Sequence, residues 1–539
     1  MTARTRTDVL LLAGFCAFLF FYGMGSFGLI GADEPRYAQV AREMLEHRDW
    51  ITPTLAGHVW LEKPPLYYWQ AMLAYSVLGV SDVAARVPSA IDATLLVVAV
   101  YLFFRRFRRG AEVDAALITA SCAGIIGYAR AASMDMALTA TFAIGMLAWW
   151  AWRESGKKMY LAIFYASMAL GMLAKGPVAP FLAAAIIVLF AAVIREWRLI
   201  LKTAWLPGIA LFCVMALPWY VAVQLRNPQF FREFILEHNL ARFSSNLYHH
   251  PEPFWYYVPV ILIGLVPWTV FVIAAFAQTV RVWWAERKSL PAEPDFEFQC
   301  TLFTSLWLIV PVAFFSISQS KLPGYILPAI PAGALLLAQY LHQQLENAQP
   351  VSRWMALVHA LVASAPIIPA ALIAYIVTQH HLPSGRPLYF ALAIAMTLCI
   401  AVLLTLLSKT GLRMLRFVTL IPVVLAVAAV LKLGTAAIDQ TLSARPLAVE
   451  LAAVETQKLP VAICGASREL EFGLAFYRNQ TIARYELGDV PPQEHLLIAA
   501  STWKVAIADH TAGRRLLLLG HYAPQNVDYY WVSAESAGR

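Results

Sequence analysis

The sequence predicts a polytopic α-helical membrane protein that ends in a small α/β domain, and three observations predict it. First, its 539 residues are 60% hydrophobic and 14% charged. With a mean hydropathy of +0.62, that leaves too little polar surface to cover a soluble globule. Second, apolar runs long enough to cross about 30 Å of hydrocarbon recur from the N-terminus to roughly residue 438, about thirteen in all. Each must be a helix, because lipid leaves an open sheet edge unpaired. Third, the pattern changes from about residue 441, where the short apolar strands VAICG at 461, LLIAA at 496 and RLLLLG at 515 alternate with helical stretches such as SRELEFGLAFYRN at 467. The expected division is a transmembrane catalytic domain over 1–440, with outer loops at 31–82 and 226–254, and a soluble α/β domain over 441–539.

The first span is expected to remain as an anchor. Its apolar stretch is too long for the core of a signal peptide and runs into a charged loop with no small-residue cleavage pattern. Orientation follows from the basic residues. Arg4 and Arg6, RRFRR at 105, RESGKK at 153, REWRLILK at 195, RVWWAERK at 281 and SKTGLRMLR at 408 fall in alternate loops, which are therefore read as cytoplasmic. The intervening loops are read as outer, and an odd number of spans carries the tail to the outer side. The net charge of +8 is mostly this cytoplasmic edging, so it does not signal nucleic-acid binding. Cys16, Cys122, Cys213, Cys300 and Cys399 fall inside spans and Cys464 is alone in the tail, which offers no disulfide framework or CxxC metal site. A P-loop lysine motif and a G-x-G-x-x-G after a strand are absent, so neither nucleotide hydrolysis nor a dinucleotide cofactor is indicated. Asn479-Gln480-Thr481 has the glycosylation pattern, a weak signal as a single triplet.

The ionisable residues near span ends gather on the outer side. In GADEPRYAQVAREM at 31, Asp33 followed by Glu34-Pro35 has the form of a helix start with Asp as N-cap. Tyr37, Val40, Ala41 and Met44 recur on one face, with Arg36, Gln39, Arg42 and Glu43 elsewhere, which predicts an interfacial helix lying on the outer surface. Capping alone would account for Asp33. In HVWLEKPPLYYW, Glu62 and Lys63 precede two prolines that keep the chain extended and an aromatic cluster suited to the interface. Lys63 could simply snorkel toward water. Asp135 opens the fourth span and could cap it, while Lys175 and Lys321 stand where a helix C-terminus favours a cation. The segment 227–253 adds His238, Arg242, His249 and His250, each unremarkable as a solvated loop residue. Together, carboxylates, cations and aromatics on one face are what an enzyme acting on anionic lipids requires, since cations bind phosphate and aromatic faces hold sugar rings.

Read together, GADEPRYAQVAREM, HVWLEKPPLYYW, LAKGPV at 173, HNLARF at 238, HPEPFWYY at 250 and SKLPGYILP at 320 resemble the bacterial aminoarabinose transferases that modify lipid A, which are polytopic GT-C glycosyltransferases. The likeness is specific over residues 30–330 and matches only in plan beyond them. It implies a GT-C architecture and transfer of 4-amino-4-deoxy-L-arabinose from undecaprenyl phosphate to lipid A phosphates, with inversion, at the periplasmic face of a Gram-negative inner membrane. The product would carry less negative charge and attract polymyxins and other cationic peptides less strongly. The resemblance further implies that Asp33 is the essential first-loop acid and Lys63 the phosphate-binding lysine. It places Arg242 with the donor or acceptor phosphate, and Asp135 and Tyr325 near the same cavity. Asp33 and Asp135 are thus the catalytic candidates; Arg36, Tyr37, Lys63, Arg242, Lys321 and Tyr325 are the candidates for substrate binding.

The chemistry makes sense independently. Donor cleavage expels a polyprenyl phosphate, so cations such as Lys63 and Arg242 can stabilise the charge developing on its bridging oxygen, and no cofactor is strictly required. The acceptor phosphate is already ionised near neutral pH and needs little deprotonation. A positioning role for Asp33, toward the acceptor or the sugar's ammonium and hydroxyls, therefore fits better than general-base catalysis. Glu62 with His250 could ligate a divalent ion such as zinc, but two ligands without fixed spacing are a poor signature, and such an ion is expected to be structural or incidental. The expected partners are the undecaprenyl phosphate-linked sugar, lipid A and membrane lipids. Two rivals remain. A lipid transporter would show paired halves with broken helices, and no such repeat is visible. A related GT-C enzyme would use another polyprenyl-phosphate sugar or a protein acceptor, whose hydroxyl would make Asp33 a true base.

Overall fold

The computed structural model describes residues 3–234, 252–286, 295–347, 351–409, 411–503, 507, 511 and 513–534. Among them, eight helices are long and apolar enough to cross a membrane, or ten when each of two bent pairs counts as one span. A further apolar helix, Val178–Val193, is shorter, so the described residues give eight to ten spans by length and composition where about thirteen are expected. The helices Met134–Ser155 and Pro323–Glu346 are 83% and 89% buried over their apolar windows, whereas Leu206–Arg226 and Gly411–Leu442 are each 22% buried. The first pair is therefore the centre of the bundle and the second its lipid-facing edge. Small residues allow that centre to close: a Cβ on Gly145 would stand 3.1 Å from Ser167 Cβ and against Met168.

Polar ties show which loops share a face. On one side, Arg108 pairs with Glu154 at 2.9 Å, Arg153 with Glu196 at 3.3 Å and Arg416 with Asp114 at 2.7 Å. These join the basic loops that the charge pattern puts together. On the opposite side the tail meets the first outer loop. Arg445 pairs with Asp82 at 2.8 Å and Asp439 at 2.8 Å, and Tyr477 Oη donates to Asp82 at 2.6 Å. The tail and the 31–82 loop thus lie on one face.

The tail carries a mixed five-stranded sheet. With the outer-loop hairpin strands numbered β1 (Thr54–Leu55) and β2 (His58–Val59), the tail strands are β3 (Val461–Cys464), β4 (Ile482–Arg484), β5 (His495–Ala500), β6 (Leu516–Tyr522) and β7 (Val527–Val532). Their order is β4-β3-β5-β7-β6, with β3 parallel to β4 and β5 and the remaining pairings antiparallel. The helix Arg468–Arg478 crosses from β3 to β4, and Ser467 caps it by accepting the Leu470 N–H at 3.3 Å.

Two expectations about the first outer loop need correction. The helix Asp33–His47 has Ala32 at its N-cap with no side-chain bond, so Asp33 lies inside the first turn and caps nothing. Glu34 takes that role by reaching back to accept the Ile30 N–H at 2.9 Å. Nor does this helix lie wet on the membrane surface. Residues 34–41, 43 and 44 are buried, because the helix Leu66–Leu78 packs on one flank and the tail helix Arg468–Arg478 on another. Glu34 also receives Arg86 Nη2 at 2.7 Å and the Ala132 N–H at 2.9 Å. Arg86, fully buried, donates to the carbonyls of Met24, Phe27 and Gly28 at 2.8–2.9 Å. This buried pair locks the exit of the first span, the outer helix and the entry to the fourth span.

Candidate active site

The first half of the site is built on the Asp33–His47 helix. Arg36 Nη2 donates to Asp33 Oδ1 at 2.5 Å and to Tyr37 Oη at 3.3 Å, and Glu62 Oε2 lies 3.9 Å from Arg36 Nη1. Asp33 keeps 55% of its side-chain surface while Arg36 keeps 11%, so the acid faces outward and the cation holds it from behind. The guanidinium rests 5.1, 5.2 and 5.7 Å from the rings of Tyr37, Trp60 and Phe472. Glu62 and Lys63 reach this place because β1 and β2 turn through Ala56 and Gly57, both at positive φ. Glu43 accepts the N–H groups of that turn at 2.8 and 3.2 Å, and the Trp60 N–H closes on Pro53 O at 2.8 Å. Burial pushes the Tyr37 phenol well above its ordinary range, Asp33 pushes it further, and the ring hydroxyl stays protonated. Burial alone would favour neutral Arg36, but Tyr37, Glu62 and Asp33 outweigh it and raise its pKa.

The second half sits at the outer ends of the two most buried spans. Ser133 caps the fourth span by accepting the Asp135 N–H at 3.0 Å and donates to Asp135 Oδ2 at 2.8 Å. The capping explanation for Asp135 therefore passes to its neighbour. Lys175 Nζ binds Asp135 Oδ1 and stands 4.7 Å from the Tyr325 ring. The 320–325 loop can close here because residue 324 is glycine: a Cβ would lie 2.8 Å from both Asp135 Cγ and Tyr128 Oη. Lys321 is buried, and its Nζ donates to Ser318 O at 2.6 Å and Glu252 O at 3.1 Å. It pins the loop that carries Tyr325 and keeps a third proton for another acceptor.

The halves face each other. Lys63, adjacent to the Glu62 that approaches Arg36, acts electrostatically on Asp135. Tyr128, in contact with the Gly324 turn, feels both Asp135 and Asp33. Thus Asp33, Arg36, Tyr37, Glu62, Lys63, Asp135 and Tyr325 converge, while Arg242, His238, His249 and His250 lie outside the described residues. Lys175 is an addition that the sequence reading left to the helix dipole; Tyr128, Trp60 and Gly324 carried no separable signal. Among the described residues no three His, Cys, Asp or Glu side chains come together to hold a metal. Glu62 is turned toward Arg36.

Comparisons with known proteins bear on the family and the fold. Residues 7–232 match the family of dolichyl-phosphate-mannose-protein mannosyltransferases. An undecaprenyl phosphate-alpha-4-amino-4-deoxy-L-arabinose arabinosyl transferase of Pseudomonas aeruginosa (strain UCBPP-PA14) is 31% identical over 356 residues, 65% of this chain and 62% of that protein. One of the same description from Aeromonas hydrophila subsp. hydrophila is 31% identical over 396 residues, 71% of this chain and 69% of its own. The chain thus spans about 62% of the length of the Pseudomonas aeruginosa relative. The crystal structure of ArnT from Cupriavidus metallidurans bound to undecaprenyl phosphate superposes with a TM-score of 0.78 at 23% identity, covering 98% of this chain and 99% of that one. The fold is therefore shared from end to end.

Proposed function

Given that the chain belongs to the family of undecaprenyl phosphate aminoarabinose arabinosyl transferases, we propose that it moves 4-amino-4-deoxy-L-arabinose from undecaprenyl phosphate to a lipid A phosphate. The site would face the periplasm at the inner membrane of a Gram-negative bacterium, and its product would give resistance to polymyxin and other cationic peptides. In this reading residues 1–440 form the catalytic domain and 441–539 a periplasmic domain. The observation that carries the reading is the convergence of Asp33–Arg36 and Asp135–Lys175 around Lys63, at the outer ends of the bundle's central spans.

An oxygen of the acceptor phosphate forms a bond to the anomeric carbon while the bond from that carbon to the undecaprenyl phosphate oxygen breaks. The electron pair leaves with undecaprenyl phosphate, and the anomeric centre inverts. Lys63 and Lys175 supply positive charge where that oxygen becomes anionic. Arg242 joins them as the resemblance implies. Asp33, outward-facing and held by Arg36, binds the sugar's ammonium or the acceptor while it is still protonated; Tyr37 stays a phenol and serves as a donor. Tyr325 sets its ring under the Lys175 ammonium, and Lys321 holds the loop that presents it. Two lysines beside a phosphate leaving group meet the charge requirement, so chelation is expected to leave turnover largely intact, and a complete loss restored by zinc would oppose this account.

The test is to reconstitute the purified chain with undecaprenyl phosphate-linked aminoarabinose and lipid A and to weigh the lipid A. A gain of one aminopentose supports the proposal. Unmodified lipid A beside a glycosylated protein, or beside relocated but unaltered donor, overturns it in favour of a protein acceptor or a transporter.

A further inference from the structure

The C-terminal domain reaches the site through one ring. Phe472, in the tail helix Arg468–Arg478, lies 5.7 Å from the Arg36 guanidinium, and the same ring lies 5.5 Å from the guanidinium of Arg468. The helix that carries it is fastened to the outer loop by bonds that do not involve the ring. Tyr477 Oη donates to Asp82 and accepts the Leu29 N–H, both at 2.6 Å. Arg42 Nη1 donates to Phe476 O at 3.1 Å, and Asn479 Nδ2 to Glu46 at 3.2 Å. The position of the Phe472 ring over Arg36 is thus set independently of Arg36.

Arg36 depends on such support. Its Nε is buried with no hydrogen-bond partner, Glu62 is 3.9 Å away, and its one short bond, at 2.5 Å, goes to Asp33. Aromatic faces therefore fix the plane of the guanidinium. Tyr37 and Trp60 come from the outer loop itself, and Phe472 from the tail. A ring over a desolvated guanidinium restrains it more strongly than one over a hydrated cation. The direction in which Arg36 presents Asp33 then passes through the tail.

We propose that Phe472 is a positioning residue for glycosyl transfer: it orients Arg36, and Arg36 orients Asp33. The inference rests on the transferase reading above. It gives the C-terminal domain a part in turnover that mere docking would not require.

The experiment uses the full-length purified chain with undecaprenyl phosphate-linked aminoarabinose and lipid A, and separates kcat from the donor KM. Phe472→Leu keeps an apolar side chain and removes the ring face. It is expected to lower kcat roughly tenfold, the scale of a desolvated cation–ring contact, with donor KM and thermal midpoint close to those of the parent. Phe472→Trp restores kcat, and Asn479→Gly, which removes the Nδ2 bond to Glu46 while suiting the left-handed backbone that ends the helix, leaves it unchanged. In a cycle with Arg36→Gln, adding Phe472→Leu costs nothing further, because there is no guanidinium left to orient. If Phe472→Leu does not accumulate, Phe472→Met takes its place in the same cycle. Parent-like kcat in the folded Leu or Met variant, or losses that multiply in the double variant, overturns the proposal. An inactive parent chain instead overturns the transferase reading on which it stands.

Discussion

Asp33 and Glu34 are neighbours in the chain and opposites in the structure. Glu34 keeps 9% of its side-chain surface and accepts from Arg86 and from two backbone N–H groups, so every lone pair that matters is committed to the fold. Asp33 keeps 55%, has Arg36 as its cation, and directs the rest of its carboxylate outward. A saturated, buried acid is a fastener, whereas an acid held from one side by a buried cation is a tool. The difference lies not in the residue type or its place in the helix but in how much bonding capacity the fold leaves over.

The sharpest way to break that comparison is to neutralise the fastener. Glu34→Gln leaves Arg86 buried without its counter-charge, and the expected cost is about 3–5 kcal/mol of stability. Size-exclusion profiles and thermal midpoints in detergent should show a chain that barely accumulates; a monodisperse variant would mean that the three carbonyls suffice for Arg86. Lys63→Ala tests the tool side. It removes a charge-assisted contact of about 1.5–3 kcal/mol, so undecaprenyl phosphate binding should weaken roughly 10- to 100-fold while the thermal midpoint holds. Unchanged binding would separate Lys63 from the phosphate. Gly324→Ala pushes a methyl against Asp135 and Tyr128, and overpacking of about 1–3 kcal/mol should appear as slower transfer without disturbing the Glu34–Arg86 lock; normal transfer would show that the loop yields freely.

The smallest effect is expected far from either acid. His495 in β5 is fully buried, with Nδ1–H donating to Gln493 O at 2.8 Å and Nε2 accepting from Tyr485 Oη at 2.5 Å. Burial lowers its pKa below the ordinary value. The unfolded tail therefore takes up a proton that the folded tail refuses. This stability is fully present above the unfolded pKa of about 6.5 and is lost as pH falls below it. Amide protection factors over the tail, referred to the intrinsic exchange rate at each pH, should fall between pH 7.5 and 5.5 (roughly one unit either side of that pKa), and His495→Gln should flatten that dependence. A pH-independent protection factor in the parent would contradict it.

Much of this was legible in the sequence because it is periodic or local. Alternating basic loops announced the two faces, apolar runs announced the spans, and VAICG, LLIAA and RLLLLG announced β3, β5 and β6. The three-residue β4 and the C-terminal β7 were not foreseen; the first is too short for a pattern. Glu34 paired with Arg86 and Asp135 with Lys175 join residues 52 and 40 positions apart, and such partnerships leave no trace in local spacing. Asp33 was read as a cap for the same reason, since nothing local shows that Glu34 satisfies the helix start instead. The surface helix became a buried one because its second flank is covered by residues more than 400 positions downstream.

The most direct test of the central claim is lipid A transfer by the parent chain and by Asp33→Asn, reconstituted at equal amounts after matching thermal midpoints. The account predicts lipid A heavier by one aminopentose from the parent and at least about 100-fold less product from the variant, with stability altered by no more than about 0.5 kcal/mol. Equal product from both would contradict it.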